Sequence, residues 1–226
     1  MSDSEEEVSL DKQLKLVLVG DPCTGKTSII RRYCHQEFSR QYFPTAGVDF
    51  FLKRITVHGK RDATIQLWDV GGSALDGKML DKYIFGAHVV IYVIDVTSSS
   101  TLDNLGQWMQ AVRTAQAKPV LCAVLGNKCD MEHQRVIRMD HQQRFASDHG
   151  FFSYVVSART GENISLFFQK IAAELLGIKL TRAEQEEHQP VVKAEISDTH
   201  VPMVSDCVSG KRAQSMGAKS AVCILQ

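Results

Sequence analysis

Short apolar runs alternate with longer amphipathic stretches from Leu14 to about Leu180. Leu14–Gly20 is rich in Leu and Val and bounded by glycine, which predicts a buried strand. Ser28–Tyr33 reads as the helix that follows. Phe50–Val57 and Thr64–Trp68 alternate on either side of His58-Gly59-Lys60, the pattern of a hairpin. Val89–Asp95 and Val120–Gly126 are continuous apolar runs, as in parallel strands covered on both faces. Between them, Leu102, Leu105, Trp108, Met109 and Val112 recur at helical spacing and predict one helix over Thr101–Ala115. A helix at Asp140–His149, a short strand at Tyr154–Val156 and a helix at Asn163–Leu176 complete the series. This alternation predicts an α/β domain with a doubly wound, mostly parallel, six-stranded sheet and helices on both faces.

The ends of the chain differ from this middle. Residues 1–12 are acidic and polar and read as a disordered lead-in; the domain spans 13–180. Residues 181–226 contain no Phe, Trp or Tyr and cannot bury enough apolar surface to offset ordering entropy. They read as a flexible tail, with Thr181–Glu187 able to extend the last helix. The 26 Lys+Arg balance 26 Asp+Glu, which excludes a nucleic-acid binder acting by charge alone. No apolar run approaches the roughly 18–20 residues needed to cross a bilayer. The N-terminus has neither a basic nor an apolar signal region, and Ser2 excludes N-myristoylation. The six cysteines form no C-x-x-C pair and no zinc spacing, so reduced thiols and a cytoplasmic address are expected.

The strongest local signal is Gly20-Asp21-Pro22-Cys23-Thr24-Gly25-Lys26-Thr27, which satisfies G-x-x-x-x-G-K-[ST] between a strand and a helix. Inward-pointing N–H groups of such a turn form an anion nest, and the helix N-terminus adds its positive dipole end. Lys26 can reach the β- and γ-phosphates, and the Thr27 hydroxyl can ligate Mg²⁺. The motif alone signifies a nucleoside triphosphate, without separating kinases, ATPases and GTPases.

Two later motifs bear on the base. Asn127-Lys128-Cys129-Asp130 follows a buried strand and so emerges at the carboxyl edge of the sheet, where ligands bind. Asp130 can accept from guanine N1–H and its exocyclic amine; adenine offers no such pair, and the unpaired carboxylate would be costly. Asn127 would tie this loop to the phosphate loop, and the Lys128 stem would pack on the base. Taken alone, Asn-Lys-x-Asp also suits an ordinary surface turn. Ser157-Ala158-Arg159 ends the next strand, where Ala158 could offer its N–H to guanine O6.

With these motifs the chain resembles the Ras superfamily of small GTPases over roughly Lys15–Leu180. The resemblance includes Trp68-Asp69-Val70-Gly71-Gly72, similar to the D-x-x-G loop, and Phe43–Phe50, similar to the first switch. Gly47-Val48-Asp49-Phe50 is similar to the Rab branch. Asp49–Thr56, Gly77–Ala87 and Ala172–Leu180 look most like a divergent Rab. The resemblance implies a P-loop NTPase G domain that binds GTP or GDP with Mg²⁺ and hydrolyses GTP. It implies Mg²⁺ ligation by Thr27 and Thr45, with Asp69 acting through a water. Thr45 and the Gly72 N–H would sense the γ-phosphate, so that Lys26, Thr45 and Gly72 serve hydrolysis. Phe38 would pack on guanine. Asp21, Cys23, Thr24, Gly25, Ser28 and Tyr42 would add to the nucleotide contacts. Loss of the γ-phosphate would release both switches.

The sequence departs from the family in places. Ser73 stands where most relatives have the Gln that orients attacking water, so slow intrinsic hydrolysis is expected. Pro22 fixes φ and removes an N–H beside the γ-phosphate position. Arg159 replaces the usual Lys. Cys23 and Cys129 adjoin the nucleotide and read as inert. Cys223-Ile224-Leu225-Gln226 fits C-a-a-X with a final Gln favouring farnesyl. One lipid anchors weakly, and Lys211, Arg212 and Lys219 would add attraction to an anionic leaflet. Cys207 is a second, weaker acylation candidate.

The implied picture is a monomeric switch in vesicle traffic, partitioning between cytoplasm and the cytoplasmic face of membranes. Effectors, an exchange factor and a GTPase activator would read Thr45–Phe51 and Val70–Ala87, and a prenyl-binding chaperone would hold the tail. Two alternatives are a non-cycling nucleotide-binding scaffold, motivated by Ser73 and Pro22, and a P-loop metabolic kinase, for which no acceptor site or lid is evident.

Overall fold

The structure is a computed structural model and describes residues 12–57, 61–116 and 118–180. Six strands form one sheet: β1 (Lys12–Val19), β2 (Val48–Val57), β3 (Arg61–Val70), β4 (Val89–Asp95), β5 (Leu121–Asn127) and β6 (Phe152–Val155). Their order is β2-β3-β1-β4-β5-β6, and only β2 and β3 pair antiparallel. The sheet therefore grows outward in both directions from β1. Ligand crevices in such sheets open at the carboxyl ends beside that branch point.

The alternation along β1 assigns its side chains to two cores. Leu14, Leu16 and Leu18 join Ile65, Leu67, Ile91 and Val93 beneath α1 (Lys26–His35) and α6 (Ile164–Leu176). Tyr33 of α1 stacks on Phe168 of α6 with centroids 4.1 Å apart. Val17 and Val19 join Val90, Tyr92 and Ile94 on the other face. That face is covered by α2 (Leu80–Ile84) and α4 (Leu105–Ala115), which bury Leu80, Ile84, Leu105, Trp108 and Val112. The short α3 (Ser100–Asp103) precedes α4, and α5 (Met139–Asp148) flanks β5 and β6.

The architecture agrees with the sequence expectation, with three corrections. Strand β1 begins at Lys12, paired with Ala63, so the ladder reaches one residue into the expected lead-in. The single helix expected over Thr101–Ala115 is two, because Asn104 interrupts it. Its side chain is drawn toward Asp21, and Gln107 N–H returns to Asn104 O in a tighter i+3 turn. Helix α2 and the 3₁₀ turn Gly72–Asp76 carry no sequence signal, being too short to show a period. The acidic segment before Lys12, the His58-Gly59-Lys60 turn and the tail 181–226, with Cys207 and Cys223, lie outside the described residues.

Candidate functional site

At the carboxyl end of β1 the chain turns sharply. Gly20 has φ +137°, and a Cβ there would lie 2.3 Å from Val93 O. Gly25 has φ +91°, and a Cβ would meet the Asn127 amide at the same distance. These two positions need glycine. Cys23 between them also adopts positive φ, at 64°. The loop wraps Lys26, which is 6% exposed and donates to Gly20 O at 2.7 Å and Asp21 O at 2.9 Å. Burial pulls its pKa down to about 8, against the opposing charges of Asp69 and Asp21. Thr24 is buried and donates to Asp21 O at 2.9 Å.

Three loops bring oxygens together next to Lys26. Thr27 Oγ1 donates to Asp69 Oδ2 at 2.5 Å and lies 3.0 Å from Thr45 Oγ1. Thr45 Oγ1 reaches the same carboxylate oxygen at 3.4 Å. Asp69 is wholly buried. Burial raises its pKa, while the Thr27 hydrogen bond and Lys26 oppose the rise. Its Oδ1 is buried with no hydrogen-bond partner among the described residues. Two hydroxyls and a carboxylate with a spare buried oxygen form a hard donor set of the kind that suits Mg²⁺. The residues present thus fit the expected cation.

The two switch segments touch directly. Gly71 N–H donates to Gly47 O at 2.8 Å, and a Cβ on Gly71 would lie 2.3 Å from Thr45 O. Gly72 abuts the phosphate loop, where a Cβ would lie 2.3 Å from Pro22 N. Tyr42 lies over that loop; desolvation, then the hydrogen bond with Cys23, push its phenol pKa up.

The base side is equally connected. Asn127 Nδ2 donates to Thr24 O at 2.8 Å, and its Oδ1 accepts from Ala158 N at 3.1 Å. One side chain thus joins the phosphate loop to both base loops. Ala158 N–H, expected at guanine O6, here serves Asn127. Buried Ser157 donates to Asp130 Oδ1 at 2.7 Å, and Arg159 Nη1 stands 3.7 Å from Asp130 Oδ2. Lys128, at φ 71°, anchors its ammonium on Asp95 Oδ2 at 2.6 Å. Thr97 holds the other oxygen of Asp95.

A cavity of about 760 Å³ lies over these loops, in the size range of small-molecule sites. It is lined by Cys23, Gly25, Lys26, Thr27, Ser28, Phe38, Tyr42, Thr45 and Gly72 on the phosphate and switch side. Asn127, Lys128, Asp130, Ala158 and Arg159 line the base side. Gly20, Asp21, Thr24, Asp69 and Ser157 stand behind the wall and hold it. Fourteen of the nineteen residues expected at the nucleotide and cation thus line one cavity.

A model described as Ras family matches residues 15–177. The chain belongs to the Ras family. It is 36% identical over 213 residues to the Ras-related protein Rab-28 of Caenorhabditis elegans, covering 93% of this chain and 85% of that protein. Rab-13 of Bos taurus is 31% identical over 166 residues, 74% of this chain and 81% of its own length. Rab-10 of Caenorhabditis elegans is 30% identical over 182 residues, 80% and 90% respectively. These matches support a Rab-like small GTPase. Ras-family GTPases bind GTP, GDP and Mg²⁺ and hydrolyse GTP.

Four supporting residues escape the motif reading. Asp95 anchors Lys128, and its signal is a carboxylate closing an apolar run at a strand's carboxyl end. Asn104 and Trp108 donate to the Asp21 carboxylate at 2.7 and 3.0 Å. Arg32 reaches the base loop from α1. Helical periodicity marks Trp108 as core and says nothing of its N–H.

Proposed function

We propose that this protein is a guanine-nucleotide switch that binds GTP and GDP with Mg²⁺ and hydrolyses GTP slowly. The observation that carries the reading is the meeting of Thr27, Thr45 and Asp69 beside Lys26. One residue comes from the phosphate loop and one from each switch, so their shared ligand decides whether both switches are held. Lys26 would balance phosphate charge. Thr27 and Thr45 would hold Mg²⁺ directly, and Asp69 through water. The cation would supply charge neutralisation of the phosphates. Asp130 would accept from the guanine edge, with Ser157 holding one of its oxygens, while the Phe38 ring and Lys128 stem would bound the base. The Gly72 N–H would reach the γ-phosphate.

Phe43, Phe50, Leu52, Met79 and Phe85 are exposed on or beside the switch segments. That surface supports recruitment of effectors, an exchange factor and a GTPase activator. Prenylation at Cys223, a prenyl-binding chaperone and a role in vesicle traffic on the cytoplasmic face of membranes complete the proposal. The tail's C-a-a-X ending and basic residues support those parts.

The deciding measurement is a binding titration with GTP, GDP and ATP, with and without Mg²⁺. Tight, Mg²⁺-dependent uptake of both guanine nucleotides and rejection of ATP is expected. Equal uptake of ATP would overturn the reading. A second reading, a nucleotide-bound scaffold that does not cycle, draws on Ser73 and on Pro22 packed against Gly72. Multiple-turnover hydrolysis with an exchange factor and an activator separates the two: sustained phosphate release excludes the scaffold.

A further inference from the structure

Arg32 lies in the last turn of α1, half-buried, outside every motif named above. Its guanidinium nevertheless joins distant parts of the site. Nε donates to Ala158 O at 2.9 Å and Nη2 to Arg159 O at 2.5 Å, across more than 120 residues of sequence. Nη1 donates to Gln36 O at 2.9 Å, while Gln36 N–H returns to Arg32 O at 3.1 Å. That reciprocal pair closes α1 at a non-glycine residue with φ 59°, just before Phe38. The same guanidinium lies 5.9 Å from the Phe38 ring centroid, within cation–π range.

A guanidinium is a rigid planar fork with several donors; an ammonium is a point charge on a flexible stem. Only the fork can reach carbonyls on two sides while its carbon faces a ring. Ala158 is held at both ends in consequence, its N–H by Asn127 and its C=O by Arg32. Two sides of the expected base pocket are therefore set by one side chain: the loop at the base edge and the ring against its face.

We propose that Arg32 is a positioning residue for guanine recognition, bracing the Ala158–Arg159 loop and Phe38 at a fixed separation. The inference rests on the guanine reading above and deepens it. Arg32 makes no hydrogen bond to Thr27, Thr45 or Asp69, so the brace acts on the base side and leaves the cation side alone.

The test compares wild type with Arg32→Ala and Arg32→Lys in the full chain. It follows release of fluorescently labelled GDP, with Mg²⁺ and after chelation by EDTA, and competition by unlabelled GDP and ADP. Removing three charge-assisted bonds, two of them to the Ala158–Arg159 loop, predicts release about 10–100-fold faster in Arg32→Ala, with Arg32→Lys between it and wild type. The preference for GDP over ADP falls in the same order. The factor by which EDTA accelerates release stays at the wild-type value, which a general loosening of the fold would change. Unchanged release from Arg32→Ala, or an EDTA factor that collapses along with it, overturns the brace. Should Arg32→Ala not fold, Arg32→Lys decides by the same readouts. Failure of wild type itself to take up labelled GDP overturns the guanine reading and the brace with it. Normal wild-type binding with wild-type release from the variants overturns the brace alone.

Discussion

Ser73 follows Gly72 in the 3₁₀ turn beside Pro22. A hydroxyl on one carbon cannot offer water the paired donor and acceptor of a carboxamide. Ser73→Gln should therefore speed single-turnover GTP hydrolysis by about 10–100-fold, the scale on which orienting a nucleophile acts. An unchanged rate would show that Ser73 does not limit hydrolysis. The two thiols near the site should also differ. Burial, then neighbouring Glu162, push the Cys129 pKa up to about 12. The folded value lies above that of a free thiol, so the folded state holds its proton longer. This group's contribution therefore weakens stability as pH rises through 9 toward 12. At pH 8 Cys129 stays a thiol, and only thiolates alkylate readily. Iodoacetamide at pH 8, read by peptide mass spectrometry, should label exposed Cys23 at least about tenfold faster than Cys129.

Among the elements, α4 has a second task besides covering the sheet. Asn104 and Trp108 stand one turn apart and grip Asp21, whose backbone carbonyl in turn receives Lys26 and Thr24. Trp108→Phe keeps the ring in the core and deletes one donor to a carboxylate. A loss of about 1–3 kcal/mol is expected in denaturant unfolding of the Mg²⁺–GDP form. A change within error would show that Asn104 alone suffices. The same element shows what a sequence can reveal. Strand β4 was legible to the residue because an unbroken apolar run leaves no other reading. The break in the α3–α4 segment was not, because Asn104 fits helical spacing and its pull comes from a residue 83 positions away. Helix α2 offers only the pair Leu80 and Ile84, too few to show a period. The site divides in the same manner. Contiguous loops such as Gly20–Thr27 announce themselves, whereas Arg32 and Asp95 matter through contacts that only the fold creates.

At the scale of the molecule, no helix among the described residues is long and apolar enough to cross a membrane. Attachment would rest on the C-terminal lipid and its basic neighbours. Cys223→Ser should move the protein from membrane to soluble fractions after cell disruption. Identical partition of variant and wild type would remove the lipid from the account. One glycine joint sets how the whole responds to partners. Because Gly71 is pressed against Thr45 and bonded to Gly47, the two flanking stretches share one backbone contact. A regulator prying at one side pulls a lever common to both. An effector seated across that contact would sense both stretches at once.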